Sequence, residues 1–163
     1  MPSQLSTTMQ IDVLGTTVPS LPQTGNVNAN MQTTTRWTHG TASGQADRQY
    51  HKERSLAASA THNYDLLAAG SLTDVLSQAI DLDELKGIKI KCTVGAIKVV
   101  GGAGTPAGFL TAAAEGFKLA AGQEVGFNFG AAGLSVATNS KFDVTDTAGG
   151  SGSTYEITFF GAQ

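Results

Sequence analysis

Residues 87–100, GIKIKCTVGAIKVV, decide the fold. Apolar and polar residues alternate through the first half of this stretch, which predicts a strand with one buried face. The residues expected on that inner face are Ile88, Ile90, Cys92 and Val94. Gly95 interrupts the pattern and predicts a bulge or bend. The alternation resumes at Ile97 and Val99, so a second strand is expected after the bend.

Three more stretches towards the C-terminus show the same period of two. Their inward residues are Val125, Phe127 and Phe129 in the first, Phe142 and Val144 in the second, and Tyr155, Ile157 and Phe159 in the third. Gly, Ser, Asn and Asp separate the stretches, and Gly150–Gly152 is predicted to be a hairpin tip. Short alternating strands with turn-rich connections predict an all-β fold, an antiparallel β-sandwich of jelly-roll type.

One stretch has helical spacing instead. In SLTDVLSQAIDLDELK, residues 71–86, Ser71 and Asp74 resemble a capping box. Apolar residues recur at helical intervals, at Leu72, Val75, Leu76, Ala79 and Ile80. The sequence therefore predicts at most one short helix. Its carboxylates, Asp74, Asp81, Asp83 and Glu84, lack the spacing of a calcium loop and are interpreted, with Lys86, as solvated polar residues.

The chain divides by composition near residue 36. Residues 1–35 carry one charge, Asp12, and are expected to form an extended N-terminal arm, whereas residues 36–163 form the β-sandwich domain. Within the arm, MQIDVL alternates and could add a strand to the sheet edge of a neighbouring subunit. A free tail is the alternative. The residues predicted to contact a partner are Ile11, Val13, Leu14, Val18 and Leu21.

Composition limits the classes of partner. A formal charge of −3 and a charged fraction of 14% argue against a nucleic-acid binder, which usually has a basic face. The sequence has no apolar run long enough for a membrane span and no signal-peptide features at its start. Its one cysteine, Cys92, is expected to be a buried hydrophobe and forms no intramolecular disulfide.

A glycine-rich loop resembles a nucleotide motif in spacing only. Gly102, Gly104 and Ala107 match the G-x-G-x-x-G/A pattern, which binds pyrophosphate when it opens a helix in a βαβ unit. The residues that follow contain further glycines and then alternate as strands, and no P-loop sequence occurs. Residues Gly101–Gly108 are therefore predicted to be a turn, and no cofactor is expected.

The histidines do not indicate a metal site. His39, His51 and His62 lie far apart in sequence, and no cysteine cluster supports them. No nucleophile and base can be paired from the sequence, so no catalytic residue is predicted and the chain is not expected to be an enzyme.

The order of several segments resembles small β-sandwich structural proteins of tailed-bacteriophage virions, the capsid decoration (cement) proteins above all. These segments are TRWTHGTASGQAD, NYDLLAAGSLTDVLSQAIDLDELKGIKI, VVGGAG, LAAGQEVGFNF and FDVTDTAGGSGSTYEITFFGAQ. The resemblance covers about residues 35–163 and is one of pattern. In such proteins a turn and then a strand occupy the stretch interpreted above as a helix.

The resemblance implies a protein that decorates and stabilises a capsid through non-catalytic contacts with the major capsid protein. It implies a homo-oligomer, with a trimer favoured, located on the capsid surface of the virion and assembled in the host cytoplasm. The alternative is a tail, baseplate or fibre component that binds host glycan. Trp37, Tyr50 and Tyr64 could stack on sugars in that case, although a place in the core also explains them.

Overall fold

A computed structural model describes residues 4–17, 25–67, 72–73, 79–110 and 116–163; for the residues before Thr38 it describes the backbone alone. These residues form strands and connecting turns, without a helix. The first seven strands are β1 (Gln4–Thr17), β2 (Gly25–His39), β3 (Gln45–Ala46), β4 (Arg48–Leu56), β5 (Thr61–Asp65), β6 (Leu72–Thr73) and β7 (Ala79–Ile80). The next seven are β8 (Glu84–Val94), β9 (Ala96–Gly101), β10 (Gly116–Ala120), β11 (Glu124–Asn128), β12 (Leu134–Ser135), β13 (Lys141–Asp146) and β14 (Ser153–Ala162).

Eight of these strands build two packed antiparallel sheets. The strand order is β4-β14-β8-β11 in one sheet and β5-β13-β9-β10 in the other. Consecutive strands, such as β4 and β5 or β8 and β9, lie at matching positions in opposite sheets. This order is that of an eight-stranded jelly roll, two Greek keys wound into a sandwich. The predicted all-β sandwich is confirmed.

Each connection between strands at matching positions, β4 to β5, β8 to β9, β10 to β11 and β13 to β14, crosses from one sheet to the other. Gly95 lies at the crossing from β8 to β9 with φ of 77°, and a Cβ there would lie 2.7 Å from the carbonyl oxygen of Gly152. The predicted bend at Gly95 is confirmed. Gly150–Gly152 is another such crossing rather than a hairpin tip, because β13 pairs with β5 and β9 whereas β14 pairs with β4 and β8.

The core lies between the two sheets and follows the predicted alternation in most strands. Fully or almost fully buried residues include Ile88, Ile90, Cys92, Ile97, Val99, Phe142, Val144, Tyr155, Ile157 and Phe159. Val125, Phe127 and Phe129, also predicted to face inward, are only partly buried against the core. Val94 lies outside it, with 57% of its surface exposed. The ladder between β8 and β14 shifts register between Thr154 and Tyr155, and this bulge reverses the alternation at the end of β8.

The helix predicted over residues 71–86 is wrong for the described part of that stretch. Strands β6 and β7 pair with each other there, and β8 begins at Glu84. Leu72, Ile80 and Leu82 are buried, so their spacing reflects contact with the core and not helical turns. Residues 74–78, with Asp74, Val75 and Leu76, lie outside the described residues.

Strands β1 and β2 form a long antiparallel hairpin in the segment predicted to be an arm. Their register runs without a shift from Gln4 opposite Thr38 to Thr17 opposite Gly25. The hairpin continues into the rest of the chain, residues 40–163, which we call the body. The junction is at Thr38 and His39, which pair in parallel with β3. The predicted boundary at residue 35 therefore falls within β2, and the division into arm and domain stays a prediction.

Candidate interaction surface

A polar cluster joins the two sheets where β4 and β5 face each other. We call Tyr50, Arg54, His62, Tyr64 and Tyr155 the tyrosine cluster. The hydroxyl of Tyr155 lies 2.9 Å from Nδ1 of His62 and 2.7 Å from the hydroxyl of Tyr64. Arg54 donates from Nη2 to the hydroxyl of Tyr50 at 3.2 Å. These bonds satisfy polar groups that would otherwise be costly to bury.

Burial sets the protonation states of the tyrosine cluster. It raises the pKa of Tyr64 to about 12 and raises the pKa of Tyr155 further still. Burial, with the charge of Arg54, lowers the pKa of His62. The hydrogen bond to Tyr50 raises the pKa of Arg54. At neutral pH the phenols of Tyr64 and Tyr155 are therefore protonated and the imidazole of His62 is neutral, which suits a structural link between the sheets rather than nucleophilic chemistry.

Two of the residues that could stack on sugars are buried. Tyr50 and Tyr64 are 0% and 2% exposed, so the interpretation of these residues as platforms is wrong. Tyr50 stacks on Phe159 with ring centroids 4.6 Å apart, and Tyr64 stacks on Phe142 at 4.7 Å. Both rings fill the core because β4 and β5 each direct alternate residues between the sheets. Trp37 precedes the residues with described side chains.

The structure separates the three histidines. His39 is exposed at the end of β2, His51 bonds to the hydroxyl of Thr158 at 2.7 Å, and His62 belongs to the tyrosine cluster. Across the residues that the structure describes, His, Cys, Asp and Glu do not form a group of three or more suited to a metal ion.

The glycine-rich loop is attached to β13. The amides of Gly102 and Ala107 both donate to the carbonyl of Lys141, at 2.9 and 2.7 Å. A Cβ on Gly102 would lie 2.5 Å from Cβ of Lys141, so close approach to β13 explains this glycine. Two amides of the nucleotide-like pattern are thus used internally, and the described residues from Ala107 to Leu110 form a turn. The predicted turn is confirmed.

Two other polar predictions have different outcomes. Cys92 is a buried free cysteine, as predicted, and burial raises the pKa of its thiol. Lys86 is fully buried, so its interpretation as a solvated residue is wrong. Its ammonium pairs with Glu84 and donates to the carbonyls of Ala131 and Ala132 at 3.0 and 2.9 Å. Lys86 thereby fixes the connection between β11 and β12.

The predicted partner-contact residues fall on the hairpin or next to it. Ile11, Val13 and Leu14 lie in β1, whereas Val18 and Leu21 lie outside the described residues. Ile11 is opposite Met31 and Val13 is opposite Ala29. Opposed residues share a face of an antiparallel pair, so Ile11 and Val13 lie on one face of the hairpin and Leu14 on the other.

The hairpin has two faces of different composition. One face carries most of the apolar residue types, namely Leu5, Met9, Ile11, Val13, Val27, Ala29, Met31 and Trp37. The other carries Gln, Ser, Thr, Asn, Asp12 and Arg36, with Leu14 as the apolar exception. Strand β2 was missed from the sequence, although NVNANM, residues 26–31, alternates with a period of two and could have indicated it.

The base of the hairpin is held at several points. Thr38 donates its amide to the carbonyl of Gly44 at 3.2 Å, and Gly44 donates in turn to Ala131 at 2.9 Å. Asp47, which lies between β3 and β4, accepts from the amide of Gln163 at 3.1 Å, and this bond joins that connection to the residue after β14. The hairpin thus starts from a point fixed by hydrogen bonds to the body.

Comparison with known proteins adds no relative. No family model matches the chain, and no curated protein or solved structure matches it. A helix of the length and hydropathy needed to cross a bilayer is absent from the part of the chain that is described.

Proposed function

We propose that this chain is a virion structural protein that decorates and stabilises a tailed-bacteriophage capsid. It acts through non-catalytic contacts with the major capsid protein, as a homo-oligomer on the capsid surface, after assembly in the host cytoplasm. The observation that carries the proposal is the long N-terminal hairpin joined at one end to a compact jelly roll.

The composition of the hairpin supports the role. At about 3.3 Å per residue, the fourteen residues of β1 extend about 45 Å. One face carries apolar residue types and Asp12 is the sole charge in β1, so the hairpin suits burial against a protein surface.

The body supports the same role by analogy. Jelly rolls occur in viral capsid proteins, and also in lectins and cupins, so the fold alone leaves several functions open. The tyrosine cluster is built into the sandwich as a link between sheets and needs no ligand to explain it. The resemblance in sequence pattern then favours capsid decoration over the other uses of the fold.

Co-sedimentation with undecorated capsids tests the proposal. The full chain should pellet with capsids and raise their resistance to heat or low salt. A variant lacking residues 1–35 should keep the melting transition of the sandwich and lose most of its capsid binding. A control in which residues 1–35 are replaced by a Gly/Ser segment of equal length distinguishes loss of the hairpin from loss of chain length.

Two results would contradict the proposal. Full-length protein that ignores capsids but binds host cells or purified phage tails would assign it to the tail, baseplate or fibre. Equal capsid binding by the full and truncated chains would show that the hairpin is not the contact segment.

A further inference from the structure

The outer edge of β1 is unlike the other sheet edges of this protein. In the sheet order β1-β2-β3, β1 is terminal, so one side of its backbone faces away from β2. It is fourteen residues long, and its ladder with β2 contains no bulge. Its sequence, QLSTTMQIDVLGTT, has no proline, lysine, arginine or glutamate. Natural proteins usually prevent an exposed edge from pairing with another strand by short length, bulges, proline and charged side chains. Apart from the charge of Asp12, β1 has none of these features.

The edge strands of the jelly roll show these protective features. Strands β5, β10 and β11 are five residues each. Strand β4 is longer but carries four charged residues, Arg48, Lys52, Glu53 and Arg54. The contrast within one chain indicates that the β1 edge is open to another strand.

We propose that the β1 edge pairs with β1 of a second copy of this chain, antiparallel and about a two-fold axis. Antiparallel pairing of a strand with itself is isologous, so the contact closes as a dimer. It converts two isolated hairpins into one four-stranded sheet, β2-β1-β1-β2. A two-stranded hairpin is marginally stable alone, whereas three or more strands with an apolar face are stable, so both hairpins gain from the contact.

The sequence of β1 selects a register. Directly opposed residues of two antiparallel strands lie on the same face of the sheet. The apolar faces of the two copies therefore coincide only if odd-numbered residues oppose odd-numbered residues, which requires a two-fold axis through a residue rather than between two residues. An axis at Asp12 would oppose two carboxylates. An axis at Ile11 opposes Ile11 to itself and Met9 to Val13, and it places Asp12 opposite Gln10. This register pairs more apolar residues with each other than an axis at Gln10 does. An axis at Met9 opposes as many apolar residues but pairs only residues 4–14, whereas the axis at Ile11 pairs residues 5–17, and we therefore assign the axis to Ile11.

Dimerisation through β1 goes beyond the proposed function and does not depend on capsid binding. The free protein is therefore sufficient for the test. Sedimentation velocity and light scattering of the full chain at micromolar concentration should show a particle of twice the 16.7 kDa chain mass. Ile11→Lys opposes two like charges and should raise the dimer dissociation constant at least about tenfold. Leu14→Lys, on the other face of the same strand, is the matched control: it adds the same charge opposite Thr8 without a like-charge pair and should raise the dissociation constant much less.

A cross-link checks the register even if Ile11→Lys disturbs the hairpin. Directly opposed residues have Cβ atoms about 4.5–5.5 Å apart, close enough for Ile11→Cys to form an intermolecular disulfide under mild oxidation. Gln10→Cys, opposite Asp12 of the second copy, should cross-link much less. The native Cys92 is buried and leaves the wild-type background low. A monomer, a trimer, or a dimer that neither Ile11 variant affects would overturn the proposal.

Discussion

At the residue scale, His62 makes the fold sensitive to acid. Burial and the neighbouring Arg54 lower the pKa of His62 in the folded chain, while the unfolded chain keeps the ordinary value of about 6.5. Between the lowered pKa of the folded chain and the ordinary pKa of the unfolded chain, the unfolded state therefore binds a proton that the folded state does not. The free energy of unfolding should fall as the pH drops from about 7.5 to about 5.

Urea denaturation across this pH range measures the effect. His62→Gln keeps a polar partner near the hydroxyl of Tyr155 but does not titrate, so its stability should depend less on pH in this window. His51→Gln, altered at an exposed histidine of β4, is the matched control. An unchanged slope in His62→Gln would show that His62 does not carry the effect.

At the element scale, central and edge strands differ in how completely they bury aromatic rings. Phe142 in β13 is fully buried against Tyr64, whereas Phe127 in the edge strand β11 is half-buried. Phe142→Ala should cost about 3–5 kcal/mol of unfolding free energy. Phe127→Ala should cost about half as much, since part of its ring already contacts solvent. Thermal and urea unfolding of both variants give the comparison, and equal losses would show that β11 is no looser than β13.

The alternation of single strands was predictable, but features set by neighbouring strands were not. Phe142 and Ile157 were placed correctly because every second residue of a strand meets the core. Val94 was misplaced because a bulge depends on the register with β14, which lies far along the chain. The wrong prediction of a helix has a related cause. Short segments with closely spaced apolar residues, such as Ile80 and Leu82, are compatible with either a helix or a strand.

The same limit applies to the polar residues and to the candidate surface. Lys86 and Tyr155 have partners on distant strands and loops, and no local pattern reveals those partners. The sequence did indicate a strand at Ile11 and Val13, because its alternation is local. It did not indicate that β2 would pair with that strand, and so the two faces of the hairpin were not predicted.

At the scale of the whole molecule, the last strand holds the sandwich together. Strand β14 lies between β4 and β8, so each of these strands depends on a partner at the C-terminus of the chain. Removing residues 153–163 should therefore abolish cooperative unfolding of the body, while removing residues 1–35 should preserve it. Calorimetry of the two truncated chains tests this, and a sharp transition in the chain without β14 would contradict it.

The position of β14 also determines the order in which parts of the chain can fold during synthesis. About a hundred residues separate β4 from β14, so at about 5–20 residues per second the ribosome takes several seconds to complete the pair. The hairpin is complete long before that, because β1 and β2 are adjacent in the chain. Nascent chains on one message would then present their β1 edges to each other while both bodies are still open. Copies made together would be joined before they fold, and hydrogen exchange on stalled ribosomes should protect the hairpin ahead of the sandwich.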